Sequence, residues 1–267
     1  MPQIHPTAVV EDGARLGDGV TIGPFCHIGP QVELGAGSEV KSHVVIAGNT
    51  TIGARASIFP FASIGHQPQD LKYRGEASSL TIGDNCIIRE GVTMNPGTEG
   101  GGGRTVIGHS CAFLANSHVG HDCQIGNNVV IVNNVMLAGH VTIGDFAVLG
   151  GGSAVIQFAR VGQHAMVGGL TGVENDLIPY GLAKGNRAYL AGLNLVGLKR
   201  RNFSRETIQD MRRAYTMIFG SEGTLAERVA ATAVEFPDQP QVHEILDFIR
   251  AGGNKAICAP LNADEQV

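Results

Sequence analysis

Between residues 118 and 140 the chain carries His118-Val-Gly-His121-Asp122 and, further on, Gly139-His140. An imidazole titrates in the range needed to take a proton from a weakly acidic group at neutral pH, which is general-base chemistry. Asp122 directly follows His121, and a neighbouring carboxylate can hold the tautomer of an imidazole and stabilise its charged form. Adjacent residues of a strand point to opposite faces, so this pairing requires a turn at the two positions. The same histidine types also suit zinc ligation, with His118, His121 and His140 as the candidate set. Taken singly, each histidine is most simply a surface or hydrogen-bonded residue. A second cluster, Lys199-Arg200-Arg201 followed by Arg205, Arg212 and Arg213, is either a solvated basic face or a site for an anionic group or acidic partner.

The elements that must position these residues follow from a strict period of six. An aliphatic residue returns from Ile4 through Val10, Leu16, Ile22 and Ile28 to Ile64 without a slip. The series resumes at Ile82, Ile88 and Met94, then runs from Ile107 through Phe113, Val119, Ile125 and Ile131 to Val173. Neither a helix nor an ordinary strand has this period. It signals a solenoid, in which one coil cannot bury its apolar face and stacking supplies the core. Residues 1–178 hold the repeat, and two segments break it, at about 65–81 and 95–105. Extra residues in a solenoid must loop out, and such loops commonly carry function. The run Gly100–Gly103 in the second loop lacks the strand-to-helix transition and Gly-Lys-Ser/Thr of a phosphate cradle, and reads as a mobile loop.

Beyond about residue 190 the period becomes helical. Ser204 is placed as an N-cap ahead of Ile208, Met211, Tyr215 and Ile218. Thr224 and Glu227 form a capping box, and Val242, Ile245, Leu246 and Ile249 make a last stripe stopped by Gly252 and Gly253. The expected organisation is a β-solenoid over 1–189 and an α-helical domain over 190–267. Cys26, Cys86, Cys111 and Cys123 each stand four positions after a repeat aliphatic, in a slot otherwise held by Ala, Ser, Thr or Val. They are expected as free, buried fillers of a reduced, cytoplasmic protein. A net charge of −5 argues against a nucleic-acid partner. No stretch approaches the roughly 18–20 apolar residues of a membrane span.

The unit aliphatic–Gly–x–x–small–x is similar to the hexapeptide repeat of left-handed parallel β-helix proteins. That resemblance implies three hexads per triangular coil, so that residues eighteen apart stack about 4.8 Å from one another. Asp122 then lies under His140, and His121 under Gly139 and Gln157. The segments Asp70-Leu-Lys72-Tyr73, His118-Val-Gly-His121-Asp122-Cys123, Leu137-Ala-Gly-His140 and Gly197-Leu-Lys-Arg200-Arg201-x-Phe203-Ser204 resemble the UDP-N-acetylglucosamine 3-O-acyltransferases of lipid A synthesis, over essentially the whole chain.

The resemblance implies transfer of a 3-hydroxyacyl chain from acyl carrier protein to the 3-hydroxyl of UDP-N-acetylglucosamine, without a cofactor or metal. It implies His121 as general base, Asp122 as its partner and the Gly139 N–H as oxyanion donor. Asp70, Lys72, His118, His140 and Gln157 would line the acceptor and acyl region, and Asn194, Arg200 and Arg201 the nucleotide. Gly169 falls at the family's acyl-chain ruler, and with Gly151 eighteen residues earlier suggests a groove open to a long chain, about C12–C14 by analogy. A homotrimer with sites between subunits is also implied. There are three departures from the family pattern: Ile156 and Val196 replace a histidine and an acid, and Asn95-Pro96 replaces His-Arg. The alternatives are N-acylation of a 3-amino analogue of the sugar, a zinc-dependent enzyme of carbonic-anhydrase type, and a non-catalytic scaffold.

Overall fold

A computed structural model describes residues 1–261; residues 262–267, assigned by the sequence to the helical domain, lie outside the described residues. Strands of two residues, such as Ala112–Phe113, His118–Val119 and Gln124–Ile125, recur every six positions. Each pairs in parallel with the strand eighteen residues on: Phe113 with Ile131, Val119 with Leu137, Ile125 with Ile143. The strands sort into three sheets, and the chain is a left-handed parallel β-helix with one sheet on each side. We call these the first, second and third faces, in the order of the three strands just named. The corners that follow them carry the same numbers.

A two-residue strand has little stability alone, so the core lies in the columns. Phe113, Ile131, Leu149 and Val167 stack in successive coils and are fully buried. From Val20 onward the small slot four positions after each aliphatic is also buried, and all five cysteines are buried and free. The thiols of Cys86, Cys111 and Cys123 donate to the carbonyls of Gly108, Gly126 and Ala138 in the next coil, at 3.3, 3.1 and 3.2 Å. Burial pushes the Cys123 thiol up to about 12, which leaves it no nucleophilic thiolate at neutral pH.

The corners depend on left-handed backbone. Ser110, Asn116, Asp122, Asn128, Asn134, His140, Phe146, Phe158, His164 and Leu170 stand at six-residue multiples with φ between 55° and 66°. Gly152 holds the one remaining place in that run, at φ 69°. Residues of the L series resist this region, and Asn, Asp and His tolerate it best.

Both insertions leave the wall at the second corner, in two successive coils. Ile82 pairs with Ile52, thirty residues back instead of eighteen, and Ile107 pairs with Ile82, twenty-five back. The register therefore survives twelve and seven extra residues. The strands Ser79–Ile82 and Arg104–Ile107 are four residues long, so the loops end at 78 and 103, slightly earlier than the broken period suggests. The corner of the very next coil is His121-Asp122, directly against these loops.

Past the last coil, Gly181–Lys184 and Tyr189–Leu193 form an antiparallel hairpin that covers the open edge of the first face. Among the described residues four helices follow: α1 Leu195–Arg200, α2 Arg205–Ile218, α3 Leu225–Glu235 and α4 Pro240–Arg250. Ser204 caps α2 through Thr207 N–H at 3.0 Å, and Thr224 with Glu227 forms the capping box of α3. No helix among the described residues is long and apolar enough to cross a membrane.

One buried ion pair fastens α4 to the β-helix. Asp176, with no exposed surface, accepts from Arg160 N–H at 2.8 Å and from its Nε at 2.7 Å. The guanidinium stacks 4.2 Å from the Phe248 ring and donates to the Phe248 carbonyl at 3.2 Å. Removing one member of such a pair strands the other charge. Asp176→Ala should therefore destabilise the protein by about 3–5 kcal/mol, measured by denaturant unfolding, with Asp176→Asn losing less.

Candidate active site

The left-handed backbone at Asp122, φ 61°, turns two consecutive side chains to the same side of the wall. His121 Nδ1 and Asp122 Oδ2 are 2.8 Å apart, and both residues are buried, at 8% and 5% exposed. A carboxylate only accepts, so Nδ1 carries the proton and Nε2 presents its lone pair. The pairing that a straight strand forbids is made by the corner.

The next coil completes the group. A Cβ on Gly139 would lie 2.4 and 2.5 Å from Cε1 and Nε2 of His121, so the ring packs against a backbone that only glycine leaves room for. Among the described residues nothing accepts from the Gly139 N–H, while the flanking amides of Ala138 and His140 are taken by Val155 and His121 carbonyls. His140 stands edge-on to His121 with ring centroids 4.9 Å apart, and its Nε2 is 3.9 Å from Asp122 Oδ2. Phe158, one coil further, stacks flat on His140 at 4.4 Å. Burial lowers the His140 pKa, with the Asp122 charge opposing.

His118 lies on the second face beside this corner, its Nδ1 2.7 Å from the Thr93 hydroxyl. Burial, and then the proximity of His121, lower its pKa. Both flanking imidazoles are thus biased to the neutral form. The ligand-type atoms that converge within 4.8 Å belong to His121, Asp122 and His140, a different set from the three histidines expected of a zinc site. Gln157 is exposed at the same corner. The first loop approaches as well: Asp70 bears on the His140 charge and accepts from Lys72 N–H at 2.9 Å, with the Lys72 side chain exposed. Asn95, a departure from the family pattern, ties the loops together by donating to the carbonyls of His66 and Gln67 at 3.1 and 3.2 Å.

The remaining expected residues gather elsewhere. Asn194, Arg200 and Arg201 line a cavity of about 850 Å³ at the third corner, with Phe146, Val148 and Val196. Asn194 caps α1 by accepting from Gly197 N–H at 3.0 Å and donates to the His164 carbonyl at 2.9 Å. Arg201 lies 4.2 Å over the Phe146 ring. Val196 is 63% exposed and puts an apolar surface where the family pattern has an acid. Gly169 sits at the first corner, exposed, and a Cβ there would meet only the Gly151 carbonyl, at 3.3 Å.

Sequence reading missed Phe158, which the eighteen-residue column through His140 would have found. It also missed Phe146 and His164 beneath Arg201, because nothing in the spacing connects α1 to the third corner. Gly139→Ala tests the packing of the site. Its methyl group would displace the His121 ring, so activity should fall by at least about a hundredfold with the unfolding midpoint nearly unchanged. An active, stable variant would contradict this geometry.

Comparison with known proteins places the fold and the whole chain among known relatives. The model of domain 2 of UDP-N-acetylglucosamine O-acyltransferase matches residues 176–258, and the bacterial transferase hexapeptide model matches residues 13–48 and 104–139. The chain is 68% identical over 259 residues to the acyl-[acyl-carrier-protein]–UDP-N-acetylglucosamine O-acyltransferase of Methylobacterium radiotolerans, covering 97% of this chain and 95% of the relative. The same-named protein of Rhizobium etli is 54% identical at the same coverage of each chain. The solved structure of LpxA from Acinetobacter baumannii superposes with TM-score 0.92 at 40% identity, covering 95% of this chain and 98% of that one. The UDP-N-acetylglucosamine acyltransferase of Francisella novicida gives 0.92 at 37%, covering 98% and 96%. With relatives more than half identical along nearly its whole length and a solved structure that superposes on nearly all of it, this chain belongs to the UDP-N-acetylglucosamine O-acyltransferase family.

Proposed function

We propose that His121, Asp122 and Gly139 carry out the acyl transfer of this family, and that the remaining polar residues divide between acyl and nucleotide recognition. The enzyme transfers an acyl chain from acyl carrier protein to UDP-N-acetylglucosamine, the first step of lipid A synthesis. The observation that carries the residue assignment is the buried Nδ1–Oδ2 hydrogen bond, which leaves His121 Nε2 as an oriented base beside the Gly139 amide.

In the forward direction Nε2 takes the proton of the sugar 3-hydroxyl as its oxygen attacks the thioester carbonyl. The carbonyl π-pair moves onto oxygen, and the Gly139 N–H donates to that oxyanion. Collapse of the tetrahedral intermediate breaks the carbon–sulfur bond. The imidazolium returns its proton to the departing carrier thiolate, which leaves a sugar ester and a free carrier thiol. No covalent enzyme intermediate is required, and Cys123, with its raised pKa and its thiol on a carbonyl, takes no part. Neutral His118 and His140 can exchange hydrogen bonds with acceptor and acyl groups without placing positive charge beside the base. Gln157, Asp70 and Lys72 complete the acceptor side, and Asn194, Arg200 and Arg201 hold the nucleotide diphosphate.

A homotrimer fits two features of the single chain. The base stands at the second corner and the basic cavity at the third, so neither edge alone holds a whole site. Met136, Ile156, Phe158 and Leu170 expose 39–79% of their surface along the second face and its two corners, as a surface covered by a neighbour would. The basic residues of α2 complement an acidic carrier protein, and we place the enzyme in the cytoplasm, where that donor would be met.

The deciding assay combines purified protein, UDP-N-acetylglucosamine and 3-hydroxyacyl carrier proteins of several chain lengths. His121→Ala should abolish turnover with folding intact; a variant retaining more than about a hundredth of the activity would remove His121 as the base. Gly169 is exposed and a Cβ there meets only the Gly151 carbonyl, at 3.3 Å, so Gly169→Met should shift preference toward shorter acyl chains with little change in the unfolding midpoint, and unchanged chain-length selectivity would remove it as the ruler. Sedimentation of an active monomer would overturn the shared-site assembly.

A further inference from the structure

The Asp122 carboxylate is held from outside the wall as well as from within it. Its Oδ1 accepts from the Thr98 backbone N–H at 2.9 Å, and its Oδ2 accepts from the Thr98 hydroxyl at 2.6 Å. Oδ2 is also the oxygen that meets His121 Nδ1. Thr98 is 5% exposed and belongs to the second loop, not to any coil. It occupies the N-cap of a short turn, Glu99–Gly101, yet its hydroxyl makes no cap and is committed to Asp122 instead. Its own carbonyl accepts from Gly101 and Gly103 N–H at 3.0 and 2.8 Å, which closes the loop on itself. The loop also presses on the carboxylate: a Cβ on Gly101 would fall 2.0–2.4 Å from the carboxyl carbon and both oxygens.

A carboxyl group turns readily about its last torsion, because that torsion has broad, nearly two-fold minima. Here two imidazoles compete for it. His121 Nδ1 is 2.8 Å and His140 Nε2 3.9 Å from the same Oδ2. The backbone of Asp122 is fixed independently, its N–H donating to the Thr105 hydroxyl at 2.8 Å, so the plane of the carboxylate is the freedom that remains. Two donors from one residue, one to each oxygen, define that plane.

We propose that Thr98 is a positioning residue for acyl transfer: its paired N–H and hydroxyl contacts set the Asp122 carboxylate so that Oδ2 holds His121 rather than turning toward His140. The second loop thereby becomes part of the catalytic apparatus, although none of its side chains needs to touch substrate. This rests on the reading of His121 as base and Asp122 as its partner.

The test is steady-state kinetics on Thr98→Val, Thr98→Ser and Gly101→Ala, with Thr98→Val repeated in an Asp122→Asn background and enough enzyme to follow its slower turnover. Loss of one charge-assisted hydrogen bond that acts in the transition state predicts a fall in kcat of about tenfold for Thr98→Val. KM for UDP-N-acetylglucosamine should stay within about twofold, and Thr98→Ser should recover at least about half of kcat. In the Asp122→Asn background the same substitution should change kcat less than about twofold, since the group it acts through is gone. Gly101→Ala keeps every donor but forces a methyl group onto the carboxylate, and should give the same kcat-selective loss even where Thr98→Val folds poorly. The proposal is overturned by wild-type kcat in Gly101→Ala or in folded Thr98→Val, by failure of serine to rescue, or by equal losses in both Asp122 backgrounds. A dead His121→Ala beside any of these results leaves the catalytic reading standing and removes only Thr98, whereas an active His121→Ala removes both.

Discussion

The left-handed backbone residue at each corner is the constraint from which the rest of this molecule follows. Strands of two residues cannot form a sheet unless each returns to stack on its predecessor, and a return within eighteen residues needs three sharp bends. Asp122 and His140 occupy such bends with φ of 61° and 62°, a conformation that Asp and His accept with less strain than most residues. The bend that closes the coil is also the bend that turns His121 and Asp122 to one side. A structural necessity repeated at every corner has been used at one of them to build a hydrogen-bonded pair that an extended strand would separate.

The two insertions depend on the same constraint. The ladder on the third face continues through Ile52, Ile82, Ile107 and Ile125 without losing register, so the core does not sense the residues that loop out. Because both loops leave from the second corner in consecutive coils, they are delivered to the edge of the third, where His121 and Asp122 stand. The asparagine at 95 joins one loop to the other, and the turn at Thr98 closes over the carboxylate. The β-helix thus supplies rigid placement along its axis, and the loops supply the enclosure that a convex wall lacks.

The period of six made the solenoid and the filler role of the cysteines legible from sequence, and the resemblance to hexapeptide-repeat proteins added the stacking of Asp122 under His140. The stripes after Ser204 and Thr224 made α2 and α3 legible through capping chemistry that needs no tertiary context. Tertiary features were less accessible. The hairpin at Gly181–Lys184 and Tyr189–Leu193 has no periodic signature, because it is specified by the exposed edge that it covers. Thr98 reads as a loop residue among glycines, and only the fold reveals that its hydroxyl meets a buried carboxylate. The third-corner cavity depends on how Arg201, at the C-cap of α1, lies over Phe146, a contact across more than fifty residues that no local pattern encodes.

The separation of the two polar clusters has an electrostatic consequence. His164 shows what a guanidinium does to a nearby imidazole in this wall: burial lowers its pKa first, and Arg201 lowers it further. A cation placed equally close to His121 would oppose the positive charge that a base must accept when it takes a proton. The diphosphate of the substrate nevertheless calls for cations. Putting Arg200 and Arg201 at the third corner, and surrounding the second with neutral His118 and His140 and the anionic Asp122, satisfies both requirements within one repeating wall. On the proposed division of roles, the nucleotide is then held by full positive charges while the reacting hydroxyl lies where positive charge on the base is favoured. On our reading the price of this arrangement is assembly, since a substrate long enough to touch both clusters must bridge edges contributed by two copies of the chain.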